Sequence, residues 1–210
     1  MHVFKRNGSK VPFVAAKITA RVNKFTYGLH VLPWEVDAIV DQTLQTIQDN
    51  MRTQDIDDLV CEALDKSAKE VGRADYGVLC VRLKISNLHK QTRKRFSDVI
   101  AQIREAEKER NDDEKTISDA CCTFIEENRL SLDSAIISHR DYEYDISKLE
   151  DLMPQLYRIG GRIIERPSHW AMRRAIECHG DLDDVIDLYG RLTIKSHRVA
   201  AKESESAECQ

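Results

Sequence analysis

The sequence predicts an α+β fold that is mostly helical: a small hairpin, four amphipathic helices, and then a further all-helical segment. Three observations predict it. Two short runs at residues 3–6 and 9–13 flank Asn7-Gly8, the pair favoured in a two-residue type I′ hairpin turn. Behind them, apolar residues recur every three or four positions in four successive stretches, the period of a helix with one buried face. A second set of such stretches lies beyond a charged segment.

In the hairpin, Asn7 and Gly8 tolerate the positive φ that a type I′ turn requires. Pro12 cannot donate a ladder hydrogen bond, so it ends the second strand or lies on an edge. Ile18, Val22, Phe25 and Leu29 form the first helical stripe, with Gly28 near its end. Val36, Ile39, Val40, Leu44 and Ile47 repeat the pattern after Pro33, which fits the first turn of a helix. Thr53, followed by Gln54, Asp55, Ile56 and Asp57, reads as an N-cap with acids in the first turn of a third helix. Ile56, Leu59, Val60, Ala63 and Leu64 are its inner face. After Gly72 a fourth helix starts near Asp75 and turns Tyr76, Leu79, Cys80 and Leu83 inward. It continues toward Arg95, or kinks into another helix with Phe96, Val99, Ile100 and Ile103 on one side.

Residues 105–115 are almost wholly charged and read as a solvated helix end and a linker. Beyond them, Ile117, Cys121, Phe124 and Ile125 form one apolar face, and Leu149, Leu152 and Leu156 another. Gly160-Gly161 is a turn. Pro167 opens a helix carrying Trp170, Ala171 and Ile176. Val185, Ile186, Tyr189 and Leu192 mark the last helix. Residues 200–210 have no period and are rich in Ala, Ser and Glu, which predicts a frayed or disordered tail.

Of the 210 residues, 41% are hydrophobic and 32% charged, a soluble globular composition too apolar for a wholly disordered chain. No apolar run approaches the roughly 18 residues that span a bilayer. The N-terminus turns polar at once, so no signal peptide and a cytoplasmic location are expected. The six cysteines form no C-x-x-C pair and have no His at zinc-ligand spacing. They are expected as small buried hydrophobes, with no metal site.

The net charge of −4 is unevenly placed. Residues 1–34 hold no acid, but they carry Lys5, Arg6, Lys10, Lys17, Arg21 and Lys24. Residues 84–97 again hold no acid, and carry Lys84, Lys90, Arg93, Lys94 and Arg95. An acidic protein that concentrates cations in two segments is built to attract an anion, or else presents solvated helix faces. The sequence has neither G-x-x-x-x-G-K-[ST] nor G-x-G-x-x-G, so neither standard phosphate loop is available. The basic hairpin is the alternative: Lys5 and Arg6 before the turn, Lys10 after it and Lys17 opening the first helix. Such a tip also suits a nucleic-acid backbone, but it is short and has few aromatics, so no nucleic-acid partner is expected.

Residues 1–8 (Met-His-Val-Phe-Lys-Arg-Asn-Gly), then Lys17-Ile18-Thr19-Ala20-Arg21 and Tyr27-Gly28-Leu29, resemble the ATP-cone that opens class I ribonucleotide reductase large subunits of the eukaryotic type. Thr53 and Asp57 stand where that family keeps nucleotide contacts. Arg82, residues 86–92 and residues 96–99 are similar to the stretch that closes the cone. Residues 132–137, Arg140-Asp141-Tyr142 and residues 159–169 resemble the start of the family's helical domain.

The resemblance implies a small mixed sheet capping a four-helix cone at residues 1–95. After it come a helix end and linker at 96–115, a partial helical domain at 116–192 and a diverged tail at 193–210. It implies an overall activity switch, in which ATP permits turnover and dATP stops it by changing oligomeric state. Lys5, Lys17 and Lys90 then meet phosphates beside Arg6 of the hairpin. Thr53 caps its helix and touches the ligand, Asp57 sits near the sugar and Asn87 near the same pocket. Plain structural roles are open for three of these: a helix cap, a helix-dipole acid and a backbone partner. The ligand is expected with Mg2+ and without a redox cofactor. The expected partners are the nucleotide and, through the cone, a second copy or a full-length large subunit, with no membrane.

Three positions and the stretch after Leu192 depart from the family. It usually has an acid near Val11 and another just before Lys17, where this chain has Ala16, and an aromatic or aliphatic residue in place of Ala15. After Leu192 the likeness ends, before the family's catalytic barrel, so no catalytic residue is expected and the chain alone is expected to be inactive. A stand-alone regulator of full-length reductase subunits and an inert remnant are the other readings. A repressor that carries an ATP-cone is disfavoured, because those place zinc-binding C-x-x-C pairs ahead of the cone.

Overall fold

The computed structural model describes residues 1–110 and 116–194, which separate into two compact units, Met1–Asn87 and the residues from Leu88 onward. The predicted tail at 200–210 lies outside the described residues. The division falls inside a helix, between Asn87 and Leu88.

The first unit has a three-stranded sheet and four helices. Strands β1 (His2–Phe4) and β2 (Lys10–Pro12) pair antiparallel, with Val3 opposite Val11. The predicted two-residue turn is corrected. Lys5 N donates to Ser9 O, Gly8 N donates to Lys5 O, and among the described residues only Gly8 of this loop has positive φ, at 81°. The loop is therefore a three-residue connection with a left-handed glycine. Asn7 uses its side chain instead, accepting from Ser9 N and Ser9 Oγ.

A third strand, β3 (Met51–Arg52), pairs parallel to β1, with Val3 opposite Met51 and Phe4 opposite Arg52. It is too short to show a period in sequence. It runs directly into α3, and this corrects the reading of Thr53. Arg52, extended at φ −76° and ψ 141°, occupies the N-cap position with no side-chain cap bond, and Thr53 is the first helical residue. The strand pairing fixes Arg52 in that conformation, and its guanidinium bonds Asp55 instead.

Helix α1 (Ala15–Asn23) is shorter than the stripe through Leu29 predicts. Arg82 Nη1 donates to the carbonyls of Phe25 and Tyr27 at 2.6 and 2.7 Å, and its guanidinium stacks 4.1 Å from the Tyr27 ring. These bonds hold the turns that follow α1 against α4. Helix α2 (Pro33–Leu44) begins at its proline as predicted. Helix α3 (Thr53–Val71) ends on left-handed Gly72. Helix α4 (Ala74–Gln91) buries Tyr76, Leu79, Cys80 and Leu83, but also Val81, Ile85, Ser86 and Asn87, so it has little exposed face.

The second unit centres on one apolar cluster. Helix α5 (Phe96–Arg110) contributes Phe96, Val99, Ile100 and Ile103 to it, the four residues that the sequence places on one side of a helix. Helix α6 (Asp119–Glu127) buries Ile125 as predicted and also Cys122, with Cys121 and Phe124 partly buried against the same cluster. Helix α7 (Arg129–Ala135), α8 (Ile146–Leu152) and two short 3-10 helices follow. Strands β4 (Arg158–Ile159) and β5 (Arg162–Ile163) are joined by Gly160-Gly161, both at positive φ. The two-residue type I′ geometry therefore occurs here rather than at Asn7-Gly8. Helix α9 (Pro167–Cys178) starts at its proline and packs on α10 (Leu182–Ile194) through Met172, Ala175, Val185 and Tyr189.

Inside this unit, Glu165 is fully buried and takes Arg173 on both oxygens at 2.8 and 3.1 Å. Asp141 accepts from Ser168 N and Ser168 Oγ and bonds His89 Nε2 at 2.7 Å. No described helix is long and apolar enough to cross a membrane.

Candidate functional site

The parallel register of β1 and β3 positions the site. Phe4 pairs with Arg52, so β1 runs into the hairpin loop at Lys5 where β3 runs into α3 at Thr53. The basic hairpin loop therefore lies along the N-terminal end of a 19-residue helix. The first amides of such a helix point outward with partial positive charge, and no side chain caps them. Lysine ammonium and free helix amides are what a phosphate oxygen requires.

Behind this edge is a buried polar network. Arg21 on α1 donates Nη1 to Asp57 Oδ2 at 2.5 Å and Nη2 to Asn87 Oδ1 at 2.6 Å and Ser86 Oγ at 3.2 Å. Arg6 of the hairpin loop donates Nη2 to the same Asn87 Oδ1 at 3.0 Å and lies 3.8 Å from Asp57 Oδ2. Asp57 is 6% exposed and Asn87 7%. A carboxylate this deep is tolerated because a guanidinium meets it directly. Asp58, next along α3, has its carboxyl raised above the usual range by desolvation, then by the carboxylates of Asp57, Asp55 and Glu62.

Asn87 is the informative member. Two guanidiniums fix its oxygen as acceptor, so its Nδ2 is turned elsewhere, and that nitrogen is buried with no hydrogen-bond partner among the described residues. An unmet buried donor costs about 1–3 kcal/mol, which an acceptor atom of a ligand relieves.

Of the sequence-predicted residues, Arg6, Asp57 and Asn87 are brought together. Lys5 directly follows β1 and Thr53 directly follows β3, its parallel partner. Thr53 and Asp57 are one turn apart on α3, as Lys17 and Arg21 are on α1, so each pair shares a helix face. The Lys5 and Lys17 side chains are exposed, with no hydrogen-bond or ion-pair partner among the described residues. Lys90 lies in the last turn of α4 and belongs to the second unit. Sequence reasoning left two members out of the site: Arg21 and Ser86. The sequence signals for Arg21 were its place one turn after Lys17 in an acid-free segment and in the stretch 17–21 that resembles the family. Among the described residues no group of three or more His, Cys, Asp or Glu side chains gathers to hold a metal ion.

Residues 1–91 match the ATP cone domain. Over 199 residues the chain is 35% identical to the ribonucleoside-diphosphate reductase large chain of Schizosaccharomyces pombe, covering 92% of this chain and 24% of that protein. It is 33% identical over 200 residues to the ribonucleoside-diphosphate reductase large chain 2 of Saccharomyces cerevisiae, covering 93% and 23%. It is 33% identical over 192 residues to the large subunit of Arabidopsis thaliana, covering 90% and 23%. The chain spans about a quarter of the length of the curated relatives it matches. The cone fold, the basic edge above α3 and these matches agree: residues 1–91 are an ATP-cone domain, and the chain is homologous to the N-terminal part of eukaryotic ribonucleoside-diphosphate reductase large subunits.

Proposed function

We propose that the chain binds ATP and dATP in its cone as the overall-activity module of a ribonucleoside-diphosphate reductase large subunit. The observation that carries this reading is the Asn87 amide, buried and unmet beside two arginines. The phosphates are assigned to Lys5, Lys17, Arg6 and the free amides at the start of α3, with Lys90 added from the family resemblance. Thr53 sits at that same helix end and contacts the ligand without capping the helix. Asp57 orients Arg21 and Arg6 and lies toward the sugar, and Asn87 donates through Nδ2. Magnesium travels with the triphosphate and needs no carboxylate cluster of the protein.

In this role the bound nucleotide sets how the cone associates with a second copy or a full-length large subunit. The reductase relatives share only this portion with the chain, so catalysis is assigned to regions beyond the similarity. The test is equilibrium titration of the whole chain with ATP and with dATP, alone and in competition. Both should bind saturably and displace one another. Binding of neither, or binding of both without competition, would refute the reading.

A further inference from the structure

The second acid-free segment is only partly used by the cone. Lys94 and Arg95 fall past α4, in the turn that leads into α5, and line a cavity of about 620 Å3 in the second unit. Arg129, which opens α7, lines the same cavity, as do the hydroxyl-bearing Ser134 and Ser138. We propose that this cleft is a second anion site, separate in its residues from the cone, that takes the phosphate group of a small phosphate ester.

The charges favour an anion strongly. Lys94 and Arg95 are exposed, and among the described residues neither side chain has a hydrogen-bond or ion-pair partner. The one acid in the lining, Asp133, is already engaged: its oxygens accept from Ser97 N at 2.9 Å and Ser97 Oγ at 2.7 Å. Arg129 is held by Nε on Ser97 Oγ and reaches Asp98 at 3.3 Å, and it remains half exposed. Three cations thus converge on an open space while the nearby carboxylate is tied back by the start of α5. Adjacent like charges repel unless a counter-charge is supplied. Guanidinium, ammonium and two hydroxyls are the donors that phosphate oxygens take.

The rest of the lining indicates what the phosphate is attached to. Leu130 is 81% exposed, the highest among the exposed large hydrophobic side chains, and it stands in this cavity beside Ile136. An apolar wall next to a cationic floor suits an ester with a flat or apolar body better than free phosphate. The volume lies within the range of small-ligand pockets, roughly 300–1,000 Å3.

The test uses the full chain carrying Lys5→Ala and Lys17→Ala, which removes the assigned cone lysines. Adenosine monophosphate and inorganic phosphate are titrated separately by calorimetry. Saturable binding of the monophosphate should persist, exceed that of inorganic phosphate, and fall at least about tenfold when Lys94→Ala and Arg95→Ala are added, the loss of one or more charge-assisted hydrogen bonds. Leu130→Ala should bring the two ligands closer together in affinity. A control that removes equal charge elsewhere, Lys66→Ala with Lys69→Ala on α3, should change neither. Equal loss in the control, persistence after Lys94 and Arg95 are removed, or equal affinity for the two ligands would overturn the proposal. Because its residues differ from those of the cone, its failure is distinguishable from failure of the cone reading.

Discussion

Arg21 and Asn87, sixty-six positions apart in sequence, are joined by a 2.6 Å hydrogen bond that leaves the second guanidinium nitrogen for Asp57. This one side chain links α1, α3 and α4 and fixes the orientation of the Asn87 amide. A structural arginine has thereby become a positioning residue for the proposed nucleotide site.

Arg21→Ala should therefore destabilise the cone by about 3 kcal/mol, because it leaves the Asp57 carboxylate buried with Arg6 only at 3.8 Å. Arg21→Ala combined with Asp57→Asn should cost less than Arg21→Ala alone, since no buried charge then remains. Urea unfolding of the two variants measures this. A double variant less stable than the single one would mean that the pair is not the source of the cost.

Lys5→Ala and Lys17→Ala should leave stability within about 0.5 kcal/mol, as surface substitutions without partners do. Each should weaken ATP binding by about 1.5–3 kcal/mol, the range for hydrogen bonds to charged groups, and so should Lys90→Ala. Fluorescence-detected titration beside thermal unfolding separates the two effects. Parent-like ATP affinity in all three variants would show that the phosphates bind elsewhere.

The helical stripes, the first-turn prolines at Pro33 and Pro167 and the Gly72 stop were legible because they are local signals with a fixed period or a fixed dihedral. What escaped was set by distant residues. Helix α1 ends at Asn23, not near Leu29, and Arg82 from the distant α4 holds the carbonyls of Phe25 and Tyr27 in the turns beyond it. Thr53 is not the cap, because Met51 and Arg52 are drawn into pairing with β1. The site was legible in the same measure. Basic residues in acid-free runs could be read, but the closure of Arg21 on Asp57 and Asn87 depends on packing that no spacing encodes.

Base discrimination should be weak. Val11 pairs across the hairpin with Val3 and Ala16 is an exposed helix residue, so neither supplies a carboxylate. A pocket without a polar group for the base loses the discrimination that such a group gives. ATP should be preferred to GTP by less than about tenfold, or roughly 1.4 kcal/mol. Val11→Glu should raise that preference. Competition of the two nucleotides decides it, and a hundredfold preference in the unmodified chain would require another group to read the base.

The second unit should lose stability in acid through His169. Its ring is fully buried against Phe96, and among the described residues neither nitrogen has a well-formed hydrogen bond, although the Lys94 backbone lies close enough to favour the charged form. Burial, then repulsion from Arg166, holds its pKa down to about 3 from 6.5. The unfolded chain therefore binds the extra proton first. Stability from this residue is complete above pH 6.5 and declines as pH falls toward 3, by up to about 1.4 kcal/mol per pH unit. His169→Phe should flatten that part of the pH profile in chemical denaturation. A variant that loses as much stability as the parent between pH 6.5 and 4 would assign the acid sensitivity to other groups.

Binding of a nucleoside triphosphate at the basic edge above α3 is tested by backbone amide mapping with heteronuclear NMR during an ATP titration. Saturable shifts are predicted at the hairpin loop (residues 5–9), the start of α3 (residues 53–57) and the side-chain amide of Asn87, with the last moving as its donor finds an acceptor. Absence of saturable shifts, or saturable shifts confined to residues outside the cone, would rule out nucleotide binding at this edge.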